Sequence, residues 1–294
     1  MIKIIASDMD GTLLNDEMMI SQRNIEAINH ATENGIDFLI ASGRQLDEAK
    51  PFLKDQVHPG FITLNGAEVY DKNETLVSSN PITTASVQAI TNYLRQKGLY
   101  FELITDKGVF SNSLKKRTTN IAELLSILNP TTTYKKALED TKAILKHAKT
   151  IYVDDYDQIL NDNDHKIMKI LVFDSRQKEA FDPLKDSLKD LDDIVITSSS
   201  PNNLEINSKQ AQKGIALMEY ARQKNVKPEE VMAIGDNLND LSMIKAAGIG
   251  VAMENAVPTI AKAADEHTAS NVNDGVAQII DKVIENNKTV GNRE

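Results

Sequence analysis

Two aspartates one residue apart, Asp8 and Asp10, end an apolar run near the start of the chain (Ile4-Ile5-Ala6) and are followed by Gly11 and Thr12. A carboxylate delivered at the end of a buried strand lies where open α/β sheets place their ligand crevices. If the chain stays extended, residues i and i+2 point the same way, so both carboxylates are expected to converge on one small, highly charged ligand. Two carboxylates this close repel unless a cation or protons separate them. The chemistry that follows is a divalent metal with a phosphate nearby. The same residues also read as an ordinary acidic turn, since Asp and Gly are turn formers.

Three more polar loops follow apolar runs. Ser42-Gly43-Arg44 comes after an expected strand at 38–41, Asn65-Gly66 after one at 61–64, and Gly235-Asp236-Asn237-Leu238-Asn239-Asp240 after one starting at 231. Lys213 opens an expected helix between the last two. Each has a plain alternative: Ser42 as a helix N-cap, Asn65-Gly66 as a hairpin turn, Lys213 as a solvated lysine, and residues 236–240 as an acidic turn before the helix at 241–247. Their occurrence in this order on one sheet edge is what favours function.

The elements that must hold these loops fall into two textures. Over the first 80 or so residues, strands expected at 2–6, 38–41 and 61–64 alternate with helices, the first N-capped by Ser21, and a hairpin is expected at 69–77. From residue 83 come short strands at 100–104, 109–110, 150–153, 167–173, 194–197 and 204–206 with polar helices between them, an α+β module with a mostly antiparallel sheet. Near Lys213 the first texture returns, with a helix at 214–224, strands at 231–235 and 248–253, and a terminal helix at 275–284 followed by a polar tail expected to fray. The organisation predicted is a discontinuous α/β core, residues 1–82 and 207–294, with an inserted module at 83–206.

The 294 residues suit one large or two medium domains. A net charge of −10 argues against a nucleic-acid partner, which needs a basic face, but not against a phosphorylated substrate whose charge a metal screens. With no cysteine there is no disulfide or thiolate chemistry. No apolar run reaches the ~18 residues of a membrane span, and Lys3 and Asp8 interrupt any signal-peptide core. A cytoplasmic protein is expected. The basic cluster Lys115-Lys116-Arg117 is expected on a solvated helix face, with an anionic ligand as the alternative.

Taken together, these residues resemble the haloacid-dehalogenase-like (HAD) superfamily of aspartate-nucleophile phosphatases, in its Cof-type branch with a type IIB cap. The resemblance lies in Asp8-Met9-Asp10-Gly11-Thr12, Ala41-Ser42-Gly43-Arg44, Lys213-Gly214 and residues 235–240, with Leu64-Asn65-Gly66-Ala67 and the closing Asn271, Asp274, Gly275 and Val276. It implies a Rossmann-like doubly wound parallel-sheet core with an inserted α+β cap, and Mg²⁺-dependent hydrolysis of small phosphomonoesters such as sugar phosphates. Asp8 is the implied nucleophile and Asp10 the acid and base. Mg²⁺ is expected on Asp8, the Asp10 carbonyl and Asp236. Met9, Ser42, Gly43, Arg44, Asn65, Lys213 and Asn239 are expected to face phosphate or substrate, with Asn237 and Asp240 in support. Lys209 is the alternative to Lys213 as the motif lysine, and Arg44 reads equally as a structural ion pair. The cap is implied to select the leaving group. A small phosphorylated metabolite is the expected partner, with no nucleic acid and no membrane, and monomer and homodimer both stay open. A sugar phosphomutase and a non-catalytic protein that binds Mg²⁺ and phosphate are the rival functions.

Overall fold

The opening apolar run forms strand β1 (Ile4–Asp8), buried along its whole length. Its alternate residues serve two cores. Ile5 packs with Ile28, Phe38, Ile40, Met232 and Ile280, while Ile4 and Ala6 pack with Leu39, Leu217, Tyr220 and Ala233. A strand covered on both faces has no solvent side to mark with polar residues, which is why it reads as an unbroken apolar run. The strand begins and ends two residues later than expected, so Asp8 is its last residue.

The computed structural model describes residues 1–128, 132–147, 149–162, 164–198 and 200–291. The chain divides into two units, Met1–Asn80 with Gln210–Glu294, and Pro81–Lys209. After β1 the first unit contains β2 (Asp37–Ala41), β3 (Gly60–Thr63), β4 (Glu68–Tyr70) and β5 (Leu76–Ser79). The second contains β6 (Tyr100–Thr105), β7 (Gly108–Ser111), β8 (Thr150–Tyr152), β9 (Ile167–Phe173), β10 (Ile194–Thr197) and β11 (Asn203–Ser208). The first unit then resumes with β12 (Val231–Gly235), β13 (Ile249–Ala252) and β14 (Glu266–His267).

In the first unit the sheet order is β14-β13-β12-β1-β2-β3-β4-β5. The strands from β14 to β3 run parallel, and β4 and β5 add an antiparallel edge. The chain leaves β1 toward β2 on one side and later resumes at β12 on the other. The order therefore reverses beside β1, and the carboxyl ends of β1 and β12 flank the switch point where such sheets bind ligands. Ser21 caps the helix Gln22–Glu33 as expected, its hydroxyl accepting the Asn24 N–H at 3.1 Å. The terminal helix, Gly275–Gly291, runs past the point where a frayed tail was expected. Asn287 explains the difference. Its side chain accepts from the Ile2 N–H at 2.9 Å and donates to the Ile2 carbonyl at 2.8 Å, anchoring the last turns to the start of the chain.

In the second unit the order is β10-β11-β9-β6-β7-β8, antiparallel except where β7 meets β8. Phe101, Leu103, Ile170, Val172, Leu204 and Ile206 pack under the helices Thr84–Gln96 and Lys178–Leu188. Alternation along the strands puts Tyr100, Glu102, Lys169, Glu205 and Asn207 on the opposite face. There Lys169 pairs with Glu205 at 2.7 Å, and Glu102 accepts from Tyr100 at 2.6 Å and pairs with Arg117. Arg117 thus departs from the solvated face expected of its cluster. Lys115 and Lys116 are exposed, while Arg117 turns inward to the buried Glu102 carboxylate. Asp193 joins the two ends of this unit. Its carboxylate accepts from Thr83 at 2.7 Å and Ser86 at 2.6 Å, and its carbonyl accepts the Lys209 N–H at 2.8 Å. Among the described residues no helix is long and apolar enough to cross a membrane.

Candidate active site

At the carboxyl end of β1, Asp8 is 5% exposed. Lys213, the first residue of the helix Lys213–Gln223, is 0% exposed and donates to Asp8 Oδ1 at 2.5 Å and Asp240 Oδ1 at 2.6 Å. The other Asp240 oxygen accepts the backbone N–H groups of Asp236 and Asn237, both at 3.0 Å. This fold-back follows from the local sequence. Leu238–Asp240 forms one 3-10 turn capped by Asn237, and a Cβ on Gly235 would lie 2.6 Å from the Asp240 carboxyl group. Gly11, at φ +83°, lets the loop after β1 approach Asp236, where a Cβ would sit 2.7 Å from Oδ2. The Thr12 hydroxyl donates to Asp236 Oδ1 at 2.7 Å.

Asp8, Asp236 and Asp240 bring carboxylate oxygens within 4.8 Å of one another, with one ammonium among them. Burial, then repulsion from Asp240, pushes the Asp8 carboxyl well above its ordinary value despite Lys213. Burial raises Asp236 as well, with Asp240 adding to it and the Thr12 hydrogen bond opposing. Burial works against the Lys213 charge, but Asp240 and Asp8 outweigh it and hold the ammonium above its ordinary range. An oxygen-rich cluster with excess negative charge fits a hard divalent cation such as Mg²⁺. Asp240 has both oxygens on Lys213 and the backbone, whereas Lys213 and Thr12 occupy only one oxygen each of Asp8 and Asp236.

A pH dependence follows. The unfolded chain loses these protons near the ordinary aspartate value of 3.8, whereas folded Asp8 and Asp236 keep theirs to higher pH. The metal-free protein should therefore gain stability as pH falls through the raised folded values, and stop gaining at the unfolded value. Thermal melts in chelator at about pH 7 and about pH 5 check the sign, and saturating Mg²⁺ should flatten the difference.

The loops after β2 and β3 are stitched together. The Ser42 hydroxyl accepts the Arg44 N–H at 3.1 Å, the Ser42 carbonyl accepts the Asn65 N–H at 2.9 Å, and the Arg44 carbonyl accepts the Leu64 N–H at 3.0 Å. Leu64 and Asn65 are both left-handed, at φ +50° and +58°. A bulky residue held there stores strain, of a kind that clusters at functional sites. Gly43 lies against Asn65, and Asn65 Oδ1 accepts from Asn239 at 3.2 Å, linking the loops after β3 and β12.

Asp8 and Asp10 do not share partners. The chain is already turning at Met9, whose carbonyl accepts the Leu13 and Leu14 N–H groups at 3.1 and 2.8 Å. Asp10, with a side chain 46% exposed, pairs instead with Arg44. Of the two candidate lysines, Lys213 reaches the carboxylates, whereas Lys209 belongs to the second unit.

Three supporting residues were given no task by the sequence, although Thr12 and Asn271 lie within the motifs quoted above. Thr12 holds Asp236. Asn255 donates to the Gly11 carbonyl at 2.7 Å and accepts the Asn271 N–H at 3.1 Å, and Asn271 donates to the Leu14 carbonyl at 3.0 Å. Asn255 follows β13, so the available signal was one more polar loop at a strand's carboxyl end.

Comparison with known proteins places nearly the whole chain among similar sequences and folds. The sequence profile described as haloacid dehalogenase-like hydrolase matches residues 5–280. Two Bacillus subtilis (strain 168) proteins named 5-amino-6-(5-phospho-D-ribitylamino)uracil phosphatase are similar along nearly their whole length. YwtE is 33% identical over 291 residues, covering 96% of this chain and 98% of its own. YcsE is 31% identical over 280 residues, covering 95% and 94%. The solved structure of a haloacid dehalogenase-like hydrolase from B. subtilis superposes with a TM-score of 0.81 at 28% identity, over 95% of this chain and 99% of that one.

Proposed function

The chain belongs to the haloacid dehalogenase-like hydrolase family, in its Cof-type branch, and on that premise we propose that this phosphatase hydrolyses small phosphomonoesters with Mg²⁺ through an aspartyl-phosphate on Asp8. The observation that carries the reading is the buried Asp8 carboxylate, held at one oxygen by a fully buried lysine and flanked by two further carboxylates.

In the first half-reaction an Asp8 oxygen attacks phosphorus, the bond from phosphorus to the leaving oxygen breaks, and Asp10 gives that oxygen a proton. In the second, water attacks the phosphorus of the acyl phosphate while Asp10 takes a proton from the water. Phosphate departs and the Asp8 carboxylate is restored. Asp8, Asp236 and the Asp10 carbonyl would hold Mg²⁺, which when bound would supply the charge neutralisation that lets a carboxylate approach a phosphate dianion. Lys213 spends two of its three N–H donors on Asp8 and Asp240, and its third is assigned to a phosphoryl oxygen. The Ser42 hydroxyl and the backbone N–H groups of Met9 and Asp10 complete the cradle, with Gly43 leaving room for it. Asn239 and Asn65 are assigned to its rim, and Asn237 and Asp240 to the support of Lys213 and the metal loop. The unit Pro81–Lys209 is assigned the selection of the leaving group, by likeness to the cap of this branch.

Sugar phosphates and similar metabolites are the proposed substrates. The names of the two B. subtilis relatives, which specify a phosphorylated ribityl compound, support including that compound in an assay panel. Phosphate release should require Mg²⁺ and cease in chelator. Asp10→Asn should slow turnover by about 10²- to 10⁴-fold and leave phosphoenzyme detectable by mass. Near-normal turnover in that variant would remove Asp10 from the proton-transfer role, and release unaffected by chelator would remove the metal.

A further inference from the structure

Arg44 and Asp10 form an ion pair to which the reaction scheme gives no task. The guanidinium meets the carboxylate as a fork, Nε donating to Oδ2 at 2.9 Å and Nη2 to Oδ1 at 2.7 Å. Such a fork fixes the plane of a carboxylate as well as its position. Arg44 is itself constrained. Its N–H is held by the Ser42 hydroxyl and its carbonyl by the Leu64 N–H. Its guanidinium carbon lies 4.8 Å from the centre of the Phe52 ring, and Phe52 packs against the core. The pair is half open to water, with side chains 30% and 46% exposed, and ion pairs that open contribute little to stability. Three constraints on an arginine whose ion pair adds so little stability call for another purpose.

We propose that Arg44, braced by Phe52, is a positioning residue for Asp10. It aims the carboxylate for proton exchange and does not grip the substrate. Each Asp10 oxygen accepts one bond from the fork and keeps a second lone pair, so the fork leaves room for the exchanged proton. This rests on the assignment of Asp8 and Asp10 made above.

p-Nitrophenyl phosphate separates the two half-reactions. Its phenolate leaves without needing a proton, whereas breakdown of the phosphoenzyme needs Asp10 as base. Mg²⁺-loaded Arg44→Met should release a first equivalent of nitrophenolate at the wild-type rate, then turn over about 10- to 100-fold more slowly. Arg44→Lys should recover part of that rate, because it keeps the charge and loses the fork. Phe52→Leu should show the same pattern more weakly. If both phases slow together, Arg44 is merely structural and the proposal fails. If the steady rate is unchanged and only KM for alkyl phosphates rises, Arg44 grips substrate and the proposal fails. Asp10→Asn in parallel tells this inference from its premise: without a burst followed by slow turnover in that variant, the assignment of Asp10 falls and takes the inference with it. Arg44→Met failing beside an Asp10→Asn that behaves as expected overturns the inference alone.

Discussion

Asp8→Asn is expected to lower phosphate release by about 10⁴-fold or more while leaving the metal-free protein at least as stable as the parent. Both halves come from the same cluster. An amide cannot attack phosphorus to form an acyl phosphate, so the covalent route closes. Yet Asn still offers an oxygen to Lys213, and Lys213 keeps Asp240 as its counter-ion. What disappears is one of three mutually repelling carboxylates in a buried place, whose charged form burial and Asp240 already disfavour. The variant should therefore melt no lower than wild type in chelator, and should gain less from added Mg²⁺. Phosphate assays and melts with and without Mg²⁺ check it. Substantial remaining turnover would exclude Asp8 as nucleophile. A lowered melting temperature in chelator would mean that Asp8 stabilises the apo fold as an ion.

Lys213→Met should do the opposite. It removes the ammonium that separates Asp8 from Asp240 and leaves two buried carboxylates facing each other. Breaking a buried ion pair from one side costs about 3–5 kcal/mol, so a loss of that order is expected in urea unfolding at neutral pH. The loss should shrink in acid, where the stranded carboxylates can take up protons, and Mg²⁺ should restore part of it by supplying positive charge. Turnover should fall with it, since Lys213 fixes the nucleophile. A loss below about 1 kcal/mol, the range of exposed pairs, would mean that the lysine's burial is not matched by energetic weight.

The fold was legible where local pattern decides it. Strands buried on both faces, such as β1 and β12, announce themselves as apolar runs, and Ser21 announces the helix it caps. Ends that depend on distant partners were hidden. The last turns of the terminal helix rest on Asn287 meeting Ile2, a contact no local window contains. Arg117 likewise left its basic cluster because β6 presents a buried glutamate to it. At the site, the motif spacing brought out Asp8, Lys213, Asp236 and Asp240, because each sits in or just beyond a strand end or opens a helix. It could not show that the turn begins at Met9, which gives Asp8 and Asp10 different partners. Nor could it show Thr12 or Asn255, whose tasks are set by loops more than 200 residues away.

Asp193 bears on how the chain reaches this structure in time. By binding Thr83 and the Lys209 backbone, it gathers the first and last segments of Pro81–Lys209 at one point. Before that unit forms, pairing β1 with β12 must close a long flexible loop, and the entropy of closure grows with loop length. Once the unit is folded, the segment from Thr83 to Lys209 no longer counts toward that closure, which then spans residues 9–82 and 210–230. The insertion, which on paper lengthens the loop between the two halves of the parallel sheet, in its folded form shortens it.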